Sequence, residues 1–208
     1  DKGSIEHETT KRKRDNPEAV ADIKDAYTPY GVQGGKIGPP RAPDDPLRPK
    51  VTYTNKNEGV CVAFNIAAKK NTKKYLVLAH DDMYFCPKWD VVFFKELQNL
   101  PDNYDFFLSG TMVQPFESYI NLDCGKNIDE FDEEKLLKNL PQIKYYDFQG
   151  THWQPSLIPI KTWNKVGGFS EEFSPGLGSD PDFNFKLWNI GVRLFKGPSD
   201  CRVYHFSS

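Results

Sequence analysis

Tyr75-Leu76-Val77-Leu78-Ala79 is an unbroken apolar run that stops at His80-Asp81-Asp82. A strand that shows one face to water alternates polar and apolar residues. A continuous run, here over residues 74–79, is expected to be buried on both faces, as in a parallel sheet covered by helices. Two adjacent carboxylates at its end repel each other. They are tolerated only where water, a cation or fixed hydrogen-bond donors meet them. In open parallel sheets ligands bind outside the carboxyl ends of the strands, which is where these acids fall. Paired acids there suit Mg²⁺ or Mn²⁺, hard cations that prefer oxygen. Taken alone, a bare Asp-Asp pair more often serves a loop whose acids cap the next helix.

The flanking pattern makes this strand part of an α/β domain. Asn57-Glu58-Gly59 reads as a turn and residues 60–69 as an amphipathic helix. Residues 89–100 read as a helix with Val92, Phe93, Leu97 and Leu100 inward, and residues 104–110 as the next strand. Strands alternating with helices of this length imply right-handed crossovers. Further on, residues 129–139 read as an acidic, exposed helix, 154–160 as a strand and 162–166 as a helix ended by Gly167-Gly168. Residues 180–190 read as a helix with Phe183, Leu187 and Ile190 inward, closed by Gly191. Residues 192–195 and 202–206 read as short strands. Residues 1–49 are a separate segment: a basic run at 11–14, a short helix capped by Asn16 with Pro17 in its first turn, and a Gly/Pro-rich loop at 34–49. Residues 50–208 form the domain, opening with a short strand at 51–54.

Composition excludes some classes. There are 27 Lys and Arg against 29 Asp and Glu, for a net charge of −2, and the cations are spread along the chain. No basic face points to nucleic acid. No apolar run approaches the roughly 20 residues that span a bilayer, and no secretory signal is visible. Cys61, Cys86, Cys124 and Cys201 lack the close spacing of a zinc site. They are expected as reduced core residues in a cytoplasmic protein, soluble or resting at a membrane surface. An aromatic content of 14% suits an ordinary core first and a sugar-binding surface second.

Two later segments bear on the acids. GGFSEEFSPGLGSDPDFNFKLW (167–188) is a glycine-rich, aromatic loop leading into Ser179-Asp180-Pro181-Asp182 at a helix start. Pro181 fits the first turn, and acids there meet the positive end of the helix. Simple capping explains one acid well and the loop before it poorly. Val203-Tyr204-His205-Phe206 sets a histidine among aromatics, an arrangement that taken alone is more often a packed core histidine than a ligand.

Taken in order, these segments resemble family 2 glycosyltransferases of the GT-A fold. NKNEGVCVAFNIAA (55–68) precedes the strand that ends in the DxD-type motif, here His80-Asp81-Asp82. PKWD (87–90), VGGFSEEF (166–173), GSDPDFNFKLWNIGVRL (178–194) and VYHF (203–206) follow in the family's order, so the likeness covers about residues 50–208. DKGSIEHET (1–9) resembles the family's Asp-x-Gly-Ser segment. On that reading the first strand, helix and second strand lie outside this sequence, and residues 10–50 are a long insertion.

The resemblance implies an α/β, Rossmann-like mixed sheet flanked by helices. It implies a hexosyltransferase-like enzyme that moves a sugar from a UDP-, GDP- or dTDP-sugar to a hydroxyl of a glycan or other acceptor, with inversion and a divalent cation, Mn²⁺ or Mg²⁺. Asp82 and His205 would hold the metal. Asp81 would reach the ribose or assist the metal, and Asp1, Asn57 and Asn65 would stand on the nucleotide side. Asp180 matches the catalytic base, with Asp182 in reserve. His152, Trp153 and Trp163 would line the acceptor site. Three departures stand out: His80 replaces the motif's first acid, Ser179-Asp180 replaces a Glu-Asp pair, and Phe64 stands where relatives often carry arginine. A non-catalytic GT-A-like module that binds nucleotide or glycan is the alternative. A nucleotidyltransferase would need a glycine-rich basic phosphate loop, which GGKIGPPR (34–41) imitates poorly.

Overall fold

The computed structural model describes residues 57–116, 120–149 and 154–206. The chain divides into two compact units, residues 1–53 and 54–208, and the architecture here is that of the second. The expected short helix after Asn16, the loop at 34–49 and the strand at 51–54 lie outside the described residues.

Five strands form the main sheet in the order β1-β6-β3-β7-β5: β1 (Tyr75–Leu78), β6 (Ser156–Pro159), β3 (Phe106–Ser109), β7 (Leu194–Gly197) and β5 (Phe148–Gln149). β6 is antiparallel to both β1 and β3, β3 and β7 are parallel, and β7 and β5 are antiparallel. β1, β3 and β7 therefore point the same way, and the sheet is mixed. This corrects the expectation of a parallel neighbourhood for the apolar run. Among the described residues β1 pairs with β6 alone, and Val77 is 43% exposed. Local sequence sets a strand's apolar content, whereas the intrusion of β6 between β1 and β3 depends on the path of a distant segment.

Period-2 alternation explains the layering. In β3, Phe107 joins one core, with Ile158 and Phe195 from the neighbouring strands. Phe106 and Leu108 face the opposite side, with Leu157 and Leu194. The first face is covered by α1 (Gly59–Lys69), α4 (Ile160–Val166) and α5 (Ser179–Asn189), through Cys61, Ala68, Trp163, Phe183 and Leu187. The second is covered by α2 (Trp89–Gln98), which inserts Phe93 with Val92 and Leu97 beside it. Each large apolar side chain so buried contributes about 1.5–3 kcal/mol. α4 ends where Gly167 turns left-handed at φ +81°, and Gly191 does the same after α5 at φ +100°.

A second sheet of three strands, β2 (Met83–Phe85), β8 (Arg202–His205) and β4 (Thr111–Val113), has β8 in the middle. β8 is antiparallel to β2 and parallel to β4. Its core holds Cys86, Val113, Leu136, Tyr204 and Phe206. The Tyr204 hydroxyl accepts from Cys124 N and donates to Gly125 O. α3 (Glu133–Asn139) is shorter than the expected 129–139 helix. Asp132 caps it through Lys135 N, and Leu136 on its inner face is wholly buried. Before it, Asn127 Oδ1 accepts from Asp129 N and Glu130 N and folds those residues into a turn instead. All four cysteines are free and buried, as expected for core thiols. Among the described residues no helix is long and apolar enough to cross a membrane.

Candidate functional site

The small sheet assembles the first half of the site by register. Met83, the first residue of β2, lies opposite His205, the last of β8. Asp82 therefore stands at the same end, and Phe206 N donates to Asp82 O at 3.0 Å. His205 Nε2 is 3.1 Å from Asp82 Oδ2. On the other side of β8, Val113 pairs with Tyr204, which brings Gln114, just past β4, alongside His205. The Gln114 carboxamide Nε2 is 2.7 Å from His205 Nδ1. The ring is thus held at both nitrogens, by residues flanking two different strands.

The second half is the start of α5. Asp180 Oδ1 accepts from Gln154 Nε2 at 3.1 Å, and Asp180 O accepts from Asn184 Nδ2. Burial pushes the Asp180 carboxyl above the ordinary carboxylate range. The nearby His80 ring and the Gln154 hydrogen bond pull the other way without overcoming it. His80 therefore lies near Asp180, which sets the end of β1 close to the start of α5. The His80 ring also stacks on Phe64 of α1, with centroids 6.0 Å apart. A histidine where the motif has an acid thus packs on α1 beside Asp180.

A latch fixes α5 in place. Asn65 of α1 is buried. Its Oδ1 accepts from Phe169 N at 3.0 Å, and its Nδ2 donates to Phe169 O and Glu171 Oε1. Asp182 Oδ2 accepts from Ser170 Oγ at 2.7 Å, and Lys186 Nζ donates to Gly168 O and to Ser170 Oγ. The segment 168–171 is thereby strapped to α1 on one side and α5 on the other.

The expected site residues divide accordingly. Asp82 and His205 meet, and Asp180 is a half-buried carboxylate near His80. Asp182 is engaged with Ser170. Asn65 has all of its polar atoms committed to the 169–171 backbone and Glu171. Asn57 Oδ1 accepts from Gly59 N at the start of α1, and Asp81 is exposed. Trp163 does not line an acceptor site. It is 4% exposed and packs between Phe169 and Phe183, because α4 turns this face onto the sheet. Asp1, His152 and Trp153 lie outside the described residues. Sequence reasoning missed Gln114 and Gln154. Neither carries a local signal, since each reaches its partner only through sheet register or through the approach of α5.

Among the described residues no group of three His, Cys, Asp or Glu side chains is arranged to hold a metal ion. The Asp82–His205 pair nevertheless fits part of such a shell. Ligands at adjacent corners of an octahedron with bonds of about 2.1 Å stand about 3 Å apart, and this pair stands at 3.1 Å. One carboxylate and one imidazole are donors that Mn²⁺ accepts, and the remaining corners would fall to oxygens other than those of a third such side chain.

No protein-family model matches the chain, and no curated protein does. Solved structures do match. One is the crystal structure of GalNAc-T7 with UDP, GalNAc and Mn²⁺, at a TM-score of 0.54 and 15% identity. The match covers 76% of this chain and 32% of that one, so the chain spans about a third of the length of the protein it matches. With the mixed sheet flanked by helices, this likeness establishes the fold as GT-A, the fold of that glycosyltransferase.

Proposed function

We propose that this chain is the nucleotide-sugar-binding and transfer unit of a glycosyltransferase of the family 2 type, acting by inversion with Mn²⁺ or Mg²⁺. The observation that carries the reading is the meeting of Asp82 and His205 at the end of the small sheet. These two residues, far apart in sequence, occupy the positions where the family resemblance puts metal ligands. A likeness in fold to a protein crystallised with UDP, GalNAc and Mn²⁺ supports it.

Asp82 and His205 would hold the cation, which when bound offsets the negative charge gathering on a departing diphosphate. Asp81, exposed beside them, is free of the small sheet's packing and suits a ribose hydroxyl. Asp180 is the base that takes the proton from the acceptor hydroxyl, an alcohol being a poor nucleophile until deprotonated. Burial strengthens it for that task by raising its proton affinity. Gln154 aims it, and Asp182 anchors the helix on which it rides. His152 and Trp153 are assigned to the acceptor side, and Asp1 and Asn57 to the nucleotide side.

The test is calorimetric titration of the full chain with UDP, GDP and dTDP, with and without Mn²⁺, followed by donor hydrolysis and transfer assays. Metal-dependent binding and turnover that falls by orders of magnitude in Asp180→Asn are expected. Failure to bind any of the three with Mn²⁺ sinks the donor-site assignment. Binding without hydrolysis or transfer would instead make the chain a non-catalytic module.

A further inference from the structure

We infer that Gln114 is the positioning residue that holds the His205 ring with Nε2 toward Asp82 and bonds Nδ1 in either tautomer. The inference rests on the cation site proposed above. It begins with a constraint on imidazole. A neutral ring carries one proton, and a metal-ligating nitrogen must be the one without it. The other nitrogen then needs an acceptor for its N–H.

In the structure, Gln114 Nε2 lies 2.7 Å from Nδ1, and Asp82 Oδ2 lies 3.1 Å from Nε2. Read as hydrogen bonds, the amide donates to Nδ1, and the ring proton sits on Nε2 and points at the carboxylate. This arrangement leaves Nε2 protonated. A cation that takes Asp82 and Nε2 displaces that proton to Nδ1, where a donating amide would clash with it. A carboxamide resolves the conflict within its own volume. Half a turn about its last torsion puts Oε1 where Nε2 stood, and the former donor becomes the acceptor. Glutamine does both, whereas a carboxylate in its place only accepts and an ammonium only donates.

The rest of Gln114 does not move in this exchange. Gln114 N donates to Ile120 O at 3.1 Å, and Leu122 N donates to Gln114 O at 2.9 Å. Val113 before it is wholly buried and registered against Tyr204. The backbone is therefore clamped from both sides while the carboxamide is left to turn. Gln114 takes no part in bond making. Its duty is to keep the ring in one orientation and to accept whichever tautomer the occupancy of the site demands.

Two measurements on the full chain test this. In ¹⁵N-labelled, metal-free wild type, the His205 ring is expected as the Nε2–H tautomer, and in Gln114→Leu as a mixture. A wild-type ring found as Nδ1–H, or one unchanged by the leucine, would overturn the inference. The second measurement is Mn²⁺ affinity in the presence of UDP, read from the free-ion electron paramagnetic resonance signal. Gln114→Leu is expected to bind about 10-fold more weakly or worse. Gln114→Glu, which can only accept, is expected to bind at least as tightly as wild type. Equal affinity for wild type and the leucine variant, or equal losses in both variants, would overturn it. Wild type that binds no Mn²⁺ would overturn the cation site and the metal half of this inference together. The tautomer measurement then decides Gln114's hold on the ring by itself.

Discussion

Replacing Gly168 by alanine should unlatch the loop that steadies α5, and the neighbouring glycine supplies its own control. Both Gly167 and Gly168 are left-handed, at φ +81° and +71°. A side chain there costs about 1–2 kcal/mol from backbone strain alone. A Cβ on Gly167 meets nothing within 4 Å, so Gly167→Ala should cost only that strain. A Cβ on Gly168 would lie 2.4 Å from Asn65 Oδ1 and 3.1 Å from the Trp163 ring. Asn65 cannot swing away cheaply, because that oxygen accepts from the buried Phe169 N–H and its amide donates to Phe169 O. Leaving such a donor buried and unsatisfied adds about 1–3 kcal/mol. Gly168→Ala should therefore destabilise by about 2–5 kcal/mol, clearly more than Gly167→Ala. Urea titration followed by tryptophan fluorescence reads this directly, since the Trp163 ring lies against the latch. The pair Asn65→Ala with Gly168→Ala should cost less than the sum of its parts, because removing the carboxamide vacates the space the new methyl needs. Equal costs at 167 and 168, or strict additivity of the pair, would refute the latch.

Other expectations follow from the same contacts. Because burial raises the Asp180 carboxyl, it takes up its proton at a higher pH than an ordinary aspartate, so turnover should fall on acidification earlier than an ordinary carboxylate would dictate. Gln154→Leu removes a hydrogen bond that favours the ionised form and should move that limb of the pH–rate profile further up; an unmoved limb counts against Asp180 as the base. Desolvation alone would raise Asp105, but the Thr162 hydroxyl at 2.6 Å and the Lys161 and Lys165 ammoniums hold it below the usual range. Its stabilisation is therefore present above the unfolded-state value and lost as pH falls through the folded-state one. Thr162→Val should cost about 1–3 kcal/mol at neutral pH and much less in acid, by urea titration at both. Burial pushes the Cys86 thiol up to about 12 and Cys201 in the same direction. An aromatic disulfide reagent should leave the native chain's cysteines unmodified and titrate four thiols in denaturant; fewer than four would contradict the free-cysteine core.

How far the sequence foretold this molecule depended on the range of the forces involved. Helices written in local periodicity were legible: α1, α2 and α5 lie within a residue or two of their apolar patterns, and Gly167 and Gly191 close helices as their lack of a Cβ allows. The strand that ends in His80-Asp81-Asp82 was legible as a strand. Its partner was not, because β6 reaches it from the far side of the chain. At the site, the meeting of Asp82 with His205 followed from the order of motifs, while their neighbours did not. Gln114 sits in a Val-Gln-Pro stretch that no chemistry singles out, and it becomes meaningful only through the parallel register of β4 with β8. Asn65 shows the opposite failure. A polar residue in a functional-looking helix was expected on the nucleotide side, and its carboxamide is committed to holding the 169–171 backbone.

The central position of β8 sets a timetable for synthesis. Asp82 and Gln114 leave the ribosome long before His205, and the strand that brings them together is the last of the described elements to be made. Until then β2 and β4 lack the strand that joins them among the described residues. The Asp82 carboxylate and the His205 imidazole thus cannot meet until that strand is in place. Completing the small sheet and bringing Asp82 to His205 are one event, so a folded small sheet is itself the sign that the two have met.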